Sequence, residues 1–147
     1  PLDILMVHHD ISVWLGVFSF SSFEDYTINV IAPPPGKIAI ALPEVSERLS
    51  HGAPSFFIRE KKTLCNLHND HHGDGRLALW VPAPPGVQGE LAALEPERFF
   101  VPPYVGHRGW IGVKLNVDPD WEEIAGIIED AYRLVAPKTL VKKLDER

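Results

Sequence analysis

The sequence is poor in sulfur, in early positive charge and in long apolar runs. It has one cysteine and one methionine, and no Lys or Arg before Lys37. A lone cysteine, Cys65, excludes an internal disulfide and fits a reducing, cytoplasmic setting. No apolar run is long enough for a membrane-spanning helix, and no basic n-region marks a secretory signal. Pro1 is not a natural start and Met6 is the first methionine, so the chain is expected to be a fragment or to begin upstream of its true start. Also missing are a GxSxG elbow, a Gly-rich phosphate loop, a CxxC pair and HExxH. No catalytic constellation remains, and the expectation is a protein that is not an enzyme and carries no cofactor.

What is present suits one folded domain. The 147 residues are 45% hydrophobic and 23% charged, with a formal net charge of -6. That is a globular composition, and length allows a single core. Acidity counts against strong non-specific attraction to nucleic acid or anionic membranes. The charge is uneven, however. Asp3, Asp10, Glu24 and Asp25 are the only charged residues up to Gly36. The remainder has 20 − 4 = 16 acidic residues against 14 basic ones, a net of -2.

Pro33-Pro34-Pro35-Gly36 reads as a hard stop, which places a boundary between an extension, 1–35, and a domain, 36–147. Within the extension Tyr26, Ile28 and Val30 alternate as in a strand. Its expected state is either a loosely attached, non-native segment or an added strand covering an apolar surface. Inside the domain the pattern predicts a short helix over 37–42, with 44–49 adding a helical turn. Strands follow at 55–58, 63–68 and 76–81, the first two joined by the charged hairpin tip Arg59-Glu60-Lys61-Lys62. A helix over 87–94, an extended piece at 99–101 and a strand over 110–117 come next. Asp118 and Pro119 look like an N-cap and first turn for a helix whose buried face is Trp121, Ile124, Ala125, Ile128, Ala131, Tyr132 and Val135. Pro137 opens the last helix. The expected fold is α+β, with two layers. Its antiparallel sheet has about five strands, its helices pack on one face, and its order is α-β3-α-β2-α-α.

The densest chemistry lies between Leu64 and Val81. His68, His71, His72 and Asp74, with Asp70 nearby, supply enough donors for a metal such as zinc. His68 and His72 are four apart, which converges on a helix, yet Gly73 and Gly75 argue for a loop. No second ligand pair completes a site. The competing reading is a polar hairpin turn in which the glycines take positive φ and the Asp side chains bond local backbone. Cys65, between Leu64 and Leu67 in a strand, reads as a buried thiol.

Period-two alternation puts Arg76, Ala78 and Trp80 on one side of their strand and Leu77, Leu79 and Val81 on the other. Trp110, Gly112 and Lys114 share the corresponding side of theirs. If helices cover the aliphatic sides, two tryptophans and two cations lie on an open face, next to the cationic loop residues His107 and Arg108. Such a face suits stacked bases or a protein partner. The alternative is that a loop, a dimer mate or the extension covers both tryptophans.

Several segments, in order, carry a resemblance. They are Leu42-Pro43-Glu44-Val45, His51-Gly52-Ala53-Pro54-Ser55-Phe56, Asp70-His71-His72-Gly73-Asp74-Gly75-Arg76, Phe99-Phe100-Val101-Pro102-Pro103-Tyr104-Val105-Gly106, Arg108-Gly109-Trp110 and Tyr132-Arg133-Leu134-Val135-Ala136-Pro137-Lys138. Together they resemble the MmcQ/YjbR family, over about Lys37 to Leu144. The resemblance implies a small α+β domain related to secretion chaperones and likened to frataxin. It also implies DNA binding through a double wing of hairpins, and it brings no catalytic residues. On that reading Arg59, Lys61, Lys62 and Arg76 contact phosphate, Arg108, Trp110 and Lys114 lie near the groove or bases, and Trp80 of the same sheet face belongs to the binding set. The alternatives are a module for a protein partner, a homodimer mate or a small ligand, and a metal protein using the histidine loop.

Overall fold

Three consecutive prolines open the first helix of the described residues. In the computed structural model, which describes residues 33–147, helix α1 runs from Pro33 to Ile40. The helix expected over 37–42 therefore begins four residues earlier, at Pro33, and ends at Ile40. The first backbone N–H groups of a helix have no intrahelical partner, so proline in the first turn sacrifices nothing. The expectations for residues 1–32 lie outside the described residues.

The next correction is larger. Residues 44–49, expected as a helical turn, belong to strand β1 (Val45–Ser50), paired antiparallel with β2 (Ala53–Ile58). The connection is a two-residue turn in which His51 and Gly52 both have positive φ, the backbone that suits a tight hairpin. A three-residue connection, Arg59-Glu60-Lys61, with positive φ at Arg59 and Glu60, leads to β3 (Lys62–Asn69). The strands β4 (Leu77–Val81), β5 (Phe99–Phe100) and β6 (Ile111–Lys114) complete a sheet of order β1-β2-β3-β4-β6-β5, antiparallel throughout. Among the described residues the sheet thus has six strands. Strand β6 stops at Lys114, short of the expected 117.

The remaining helices are α2 (Val87–Leu94), α3 (Trp121–Val135) and α4 (Lys138–Asp145). The cap of α3 is Asp120, not Asp118. Its carboxylate accepts from the N–H groups of Glu122 and Glu123. One face of the sheet carries the main core. Phe56, Ile58, Leu67, Leu79, Val81, Ile111 and Val113 pack with Ile124, Ile128 and Tyr132 of α3 and Leu140 and Leu144 of α4. A register shift between Phe56 and Phe57 makes Leu64 an extra residue in β3. Both Leu64 and Cys65 are consequently buried in this layer.

Tyr132 ties the helical layer to the start of the sheet, because its buried hydroxyl donates to the carbonyl of Pro43 at 2.7 Å. Tyr132→Phe leaves that acceptor unsatisfied and is expected to cost about 1–2 kcal/mol. Urea unfolding at neutral pH reads this as a lower midpoint at unchanged slope.

Candidate functional site

Alternation places a different set of residues on the second face of the sheet. The register aligns Arg48, Ser55, Asn66, Trp80, Gly112 and Phe100 in one row across all six strands. A neighbouring row aligns His68, Ala78 and Lys114. Ala78, Trp80, Phe100 and Trp110 form a second, smaller buried cluster here, with Val105 packed against it. Gly112 makes it possible. A Cβ at that position would lie 2.3 Å from the Phe100 ring, so only glycine lets the ring lie over β6.

The two tryptophans are on one side of the sheet, as the alternation predicts, but neither is presented. Each is 4% exposed. Of the two expected arrangements, the open aromatic face is not the one present, and both tryptophans are covered. The ring of His68 stacks on Trp80 with centroids 3.7 Å apart, and His71 meets it edge-on at 4.9 Å. The guanidinium of Arg76 lies 4.0 Å from the centre of Phe100, and that of Arg108 lies 5.4 Å from Trp110. Strand β3 delivers His68, and two loops deliver the other three groups.

The first loop, 70–76, is held by its own aspartates. Asp70 accepts from the Gly75 N–H at 2.7 Å and Asp74 from the Arg76 N–H at 2.9 Å. Gly73 and Gly75 have φ of 75° and 70°, as the hairpin-turn reading requires. The second loop, 101–110, is pinned by Gln88 of α2, which donates to the carbonyls of Gly106 and Trp110, each at 2.7 Å. The loops meet where the Tyr104 hydroxyl and His72 Nε2 approach to 3.4 Å. Three residues in these loops, Asp70, His72 and Tyr104, hold positive φ without being glycine. Such backbone is maintained only where surrounding contacts fix it.

Electrostatics follow from the burial. Loss of solvation pulls the His68 imidazole down to about 4, helped by neighbouring His71 and opposed by Asp74. Burial also pushes the Cys65 thiol far above its ordinary range, which leaves it unreactive. Two buried polar atoms of the cluster have no hydrogen-bond partner, Trp80 Nε1 and His71 Nε2. That is unusual for buried groups, which are nearly always paired.

The sign for His68 is set by its depressed pKa. Between about 4 and 6.5 the unfolded chain binds a proton that the folded chain does not, so stability falls as pH drops through that window. Unfolding measured at pH 7 and pH 4.5 is expected to show a smaller acid loss for His68→Asn than for the wild type. An equal loss would remove His68 as a source.

The remaining sequence-derived candidates separate. Arg59, Lys61 and Lys62 sit at the far end of β3 from the histidine loop, on the order of 25 Å away for eight strand residues. Arg59 pairs with Glu44 at 3.2 Å, whereas Lys61 and Lys62 are exposed. Lys114 donates to the Pro96 carbonyl at 3.2 Å. His68, His71 and His72 are brought together through ring contacts. Among the described residues no group of three or more His, Cys, Asp or Glu is placed to hold a metal ion. Tyr104, Phe100 and Gly112 were not singled out from the sequence as site residues. The signal for Gly112 was an isolated glycine in an otherwise apolar strand, which marks a close approach.

A family model described as YjbR matches residues 40–134. The crystal structure of Deinococcus radiodurans protein DR2400, with a DUF419 domain, superposes at a TM-score of 0.58 and 19% identity. The match covers 74% of this chain and 83% of that one. It supports the fold. No curated protein matches the sequence. Among the described residues no helix is long and apolar enough to cross a membrane.

Proposed function

This chain belongs to the YjbR family, and from that premise we propose that it is a non-catalytic binding domain whose site is the imidazole and aromatic cluster on the second sheet face. The observation that carries the reading is the indole N–H of Trp80, buried and without an acceptor beneath two interlocked loops. An unsatisfied donor of this kind costs about 1–3 kcal/mol. A ligand that supplies the acceptor recovers that cost on binding. The one cysteine is buried in the opposite layer, away from this cluster.

A thermal-stability screen of small neutral, anionic and cationic aromatic compounds tests the reading. Support is a compound that raises the unfolding midpoint of the wild type and loses this effect in Trp80→Phe. No response at millimolar concentrations, or an equal response in Trp80→Phe, rejects it.

A second reading, DNA binding, is favoured by one observation. Lys61 and Lys62 are exposed at a hairpin tip and have no ion-pair partner among the described residues. On this reading they contact phosphate, and the buried tryptophans take no part in stacking bases. Fluorescence anisotropy with short duplex and single-stranded DNA at low salt tests it. Binding that weakens steeply with salt and disappears in Lys61→Glu/Lys62→Glu supports it; no binding at tens of micromolar protein rejects it.

A further inference from the structure

We infer that the ligand of the second face is a carboxylate, taken by the Trp80 indole N–H and the Arg76 guanidinium. The inference rests on the cluster being a binding site and adds the chemical class of its occupant.

The free valences decide the class. Trp80 Nε1–H can only donate. Arg76 also only donates, and its side chain has no hydrogen bond among the described residues. Its one ion-pair contact, with Asp74, is long at 4.0 Å. The two donors belong to one patch, because Phe100, over which Arg76 lies, is separated from Trp80 in the cross-strand row only by Gly112. His71 Nε2, also unpartnered, becomes a donor in the tautomer that protonates it.

A cationic ligand does not fit. Binding a cation here would need an open aromatic face. His68 already covers Trp80, Arg76 covers Phe100 and Arg108 covers Trp110. A dianion is disfavoured by Asp70 and Asp74 in the covering loop. A single planar carboxylate meets both conditions, and guanidinium groups bind it through two parallel N–H donors. Its source is either a free small acid or the carboxylate of a peptide.

The test follows the Trp80 indole resonance in proton–nitrogen spectra of the labelled full chain, assigned by its disappearance in Trp80→Phe. Benzoate, benzamide, inorganic phosphate and a short peptide with an amidated or free C-terminus are titrated in turn. Benzoate is expected to shift the resonance saturably. Arg76→Gln, or Arg76→Lys should that variant fail to fold, is expected to weaken binding about tenfold. A response to benzamide but not benzoate leaves the site standing and overturns the carboxylate. Phosphate acting as strongly as benzoate overturns it too, as does unchanged affinity in both Arg76 variants. Silence of Trp80 toward every probe overturns the inference and the underlying reading together. The free-C-terminus peptide separates the sources, because both expected outcomes keep the carboxylate: a response confined to it over its amidated form assigns a peptide, and a response to benzoate alone assigns a small acid.

Discussion

Gly112→Ala is expected to lower stability by about 3 kcal/mol, the upper range for forcing one extra carbon into a packed region. The new Cβ would stand 2.3–2.5 Å from three atoms of the Phe100 ring. The ring cannot simply move outward. Phe100 is buried, Arg76 lies over it, and its strand neighbour Phe99 is fixed in the main core. For a domain of this size the loss corresponds to a fall in the unfolding midpoint of about 10 °C. Phe100→Ala alone is expected to cost about 3 kcal/mol through lost packing. In the double variant the clash no longer exists, so the combined loss should fall short of the sum by more than about 0.5 kcal/mol. Strict additivity would mean that the glycine is not there to admit the ring.

The second large effect is at Trp80, and it depends on the replacement. Trp80→Ala is expected to cost about 4 kcal/mol, since it empties the centre of the second cluster and strips His68 of its stacking partner. Trp80→Phe is expected to lie within about 1 kcal/mol of the wild type. Its smaller ring loses contact area, but it also removes a buried donor that has no partner, which offsets that loss. The contrast with Tyr132→Phe is the point. There the deleted hydroxyl is bonded to Pro43, so its removal is costly. Chemical denaturation of the three variants side by side separates a satisfied buried group from an unsatisfied one. A loss of several kcal/mol in Trp80→Phe would mean that the indole N–H has an acceptor in the folded protein.

Much of this architecture is legible in the sequence, and the failures have physical causes. Alternation from Arg76 to Val81 assigns both sides of β4 correctly, because one side is aliphatic and packs on helices. Strand β1 escapes the same logic. It is an edge strand of sequence VSERLS with a largely solvent-facing surface, so no alternation betrays it. The turn did carry a signal, because His51-Gly52 places a glycine where a two-residue hairpin needs positive φ. Three prolines mislead for a different reason, since they forbid a helix interior but not its first turn.

The candidate site was half visible. Parity puts Trp80 and Trp110 together, yet it says nothing about what covers them. That depends on loops 70–76 and 101–110, which converge through His72 and Tyr104, 32 positions apart in the chain. The histidines then take a role that their spacing did not suggest. His68 and His71 pack as rings against Trp80, and the aspartates beside them bond the loop backbone.

The most direct measurement of the central claim is the Trp80 indole N–H itself in the ligand-free protein, read from its chemical shift and its rate of exchange with solvent. A buried donor awaiting an acceptor gives a resonance that exchanges slowly, lies in the range of indoles without a hydrogen bond, and moves downfield when a carboxylate is added. A resonance already at a hydrogen-bonded position in the free protein, or one exchanging as fast as that of the less buried Trp121, would contradict the account.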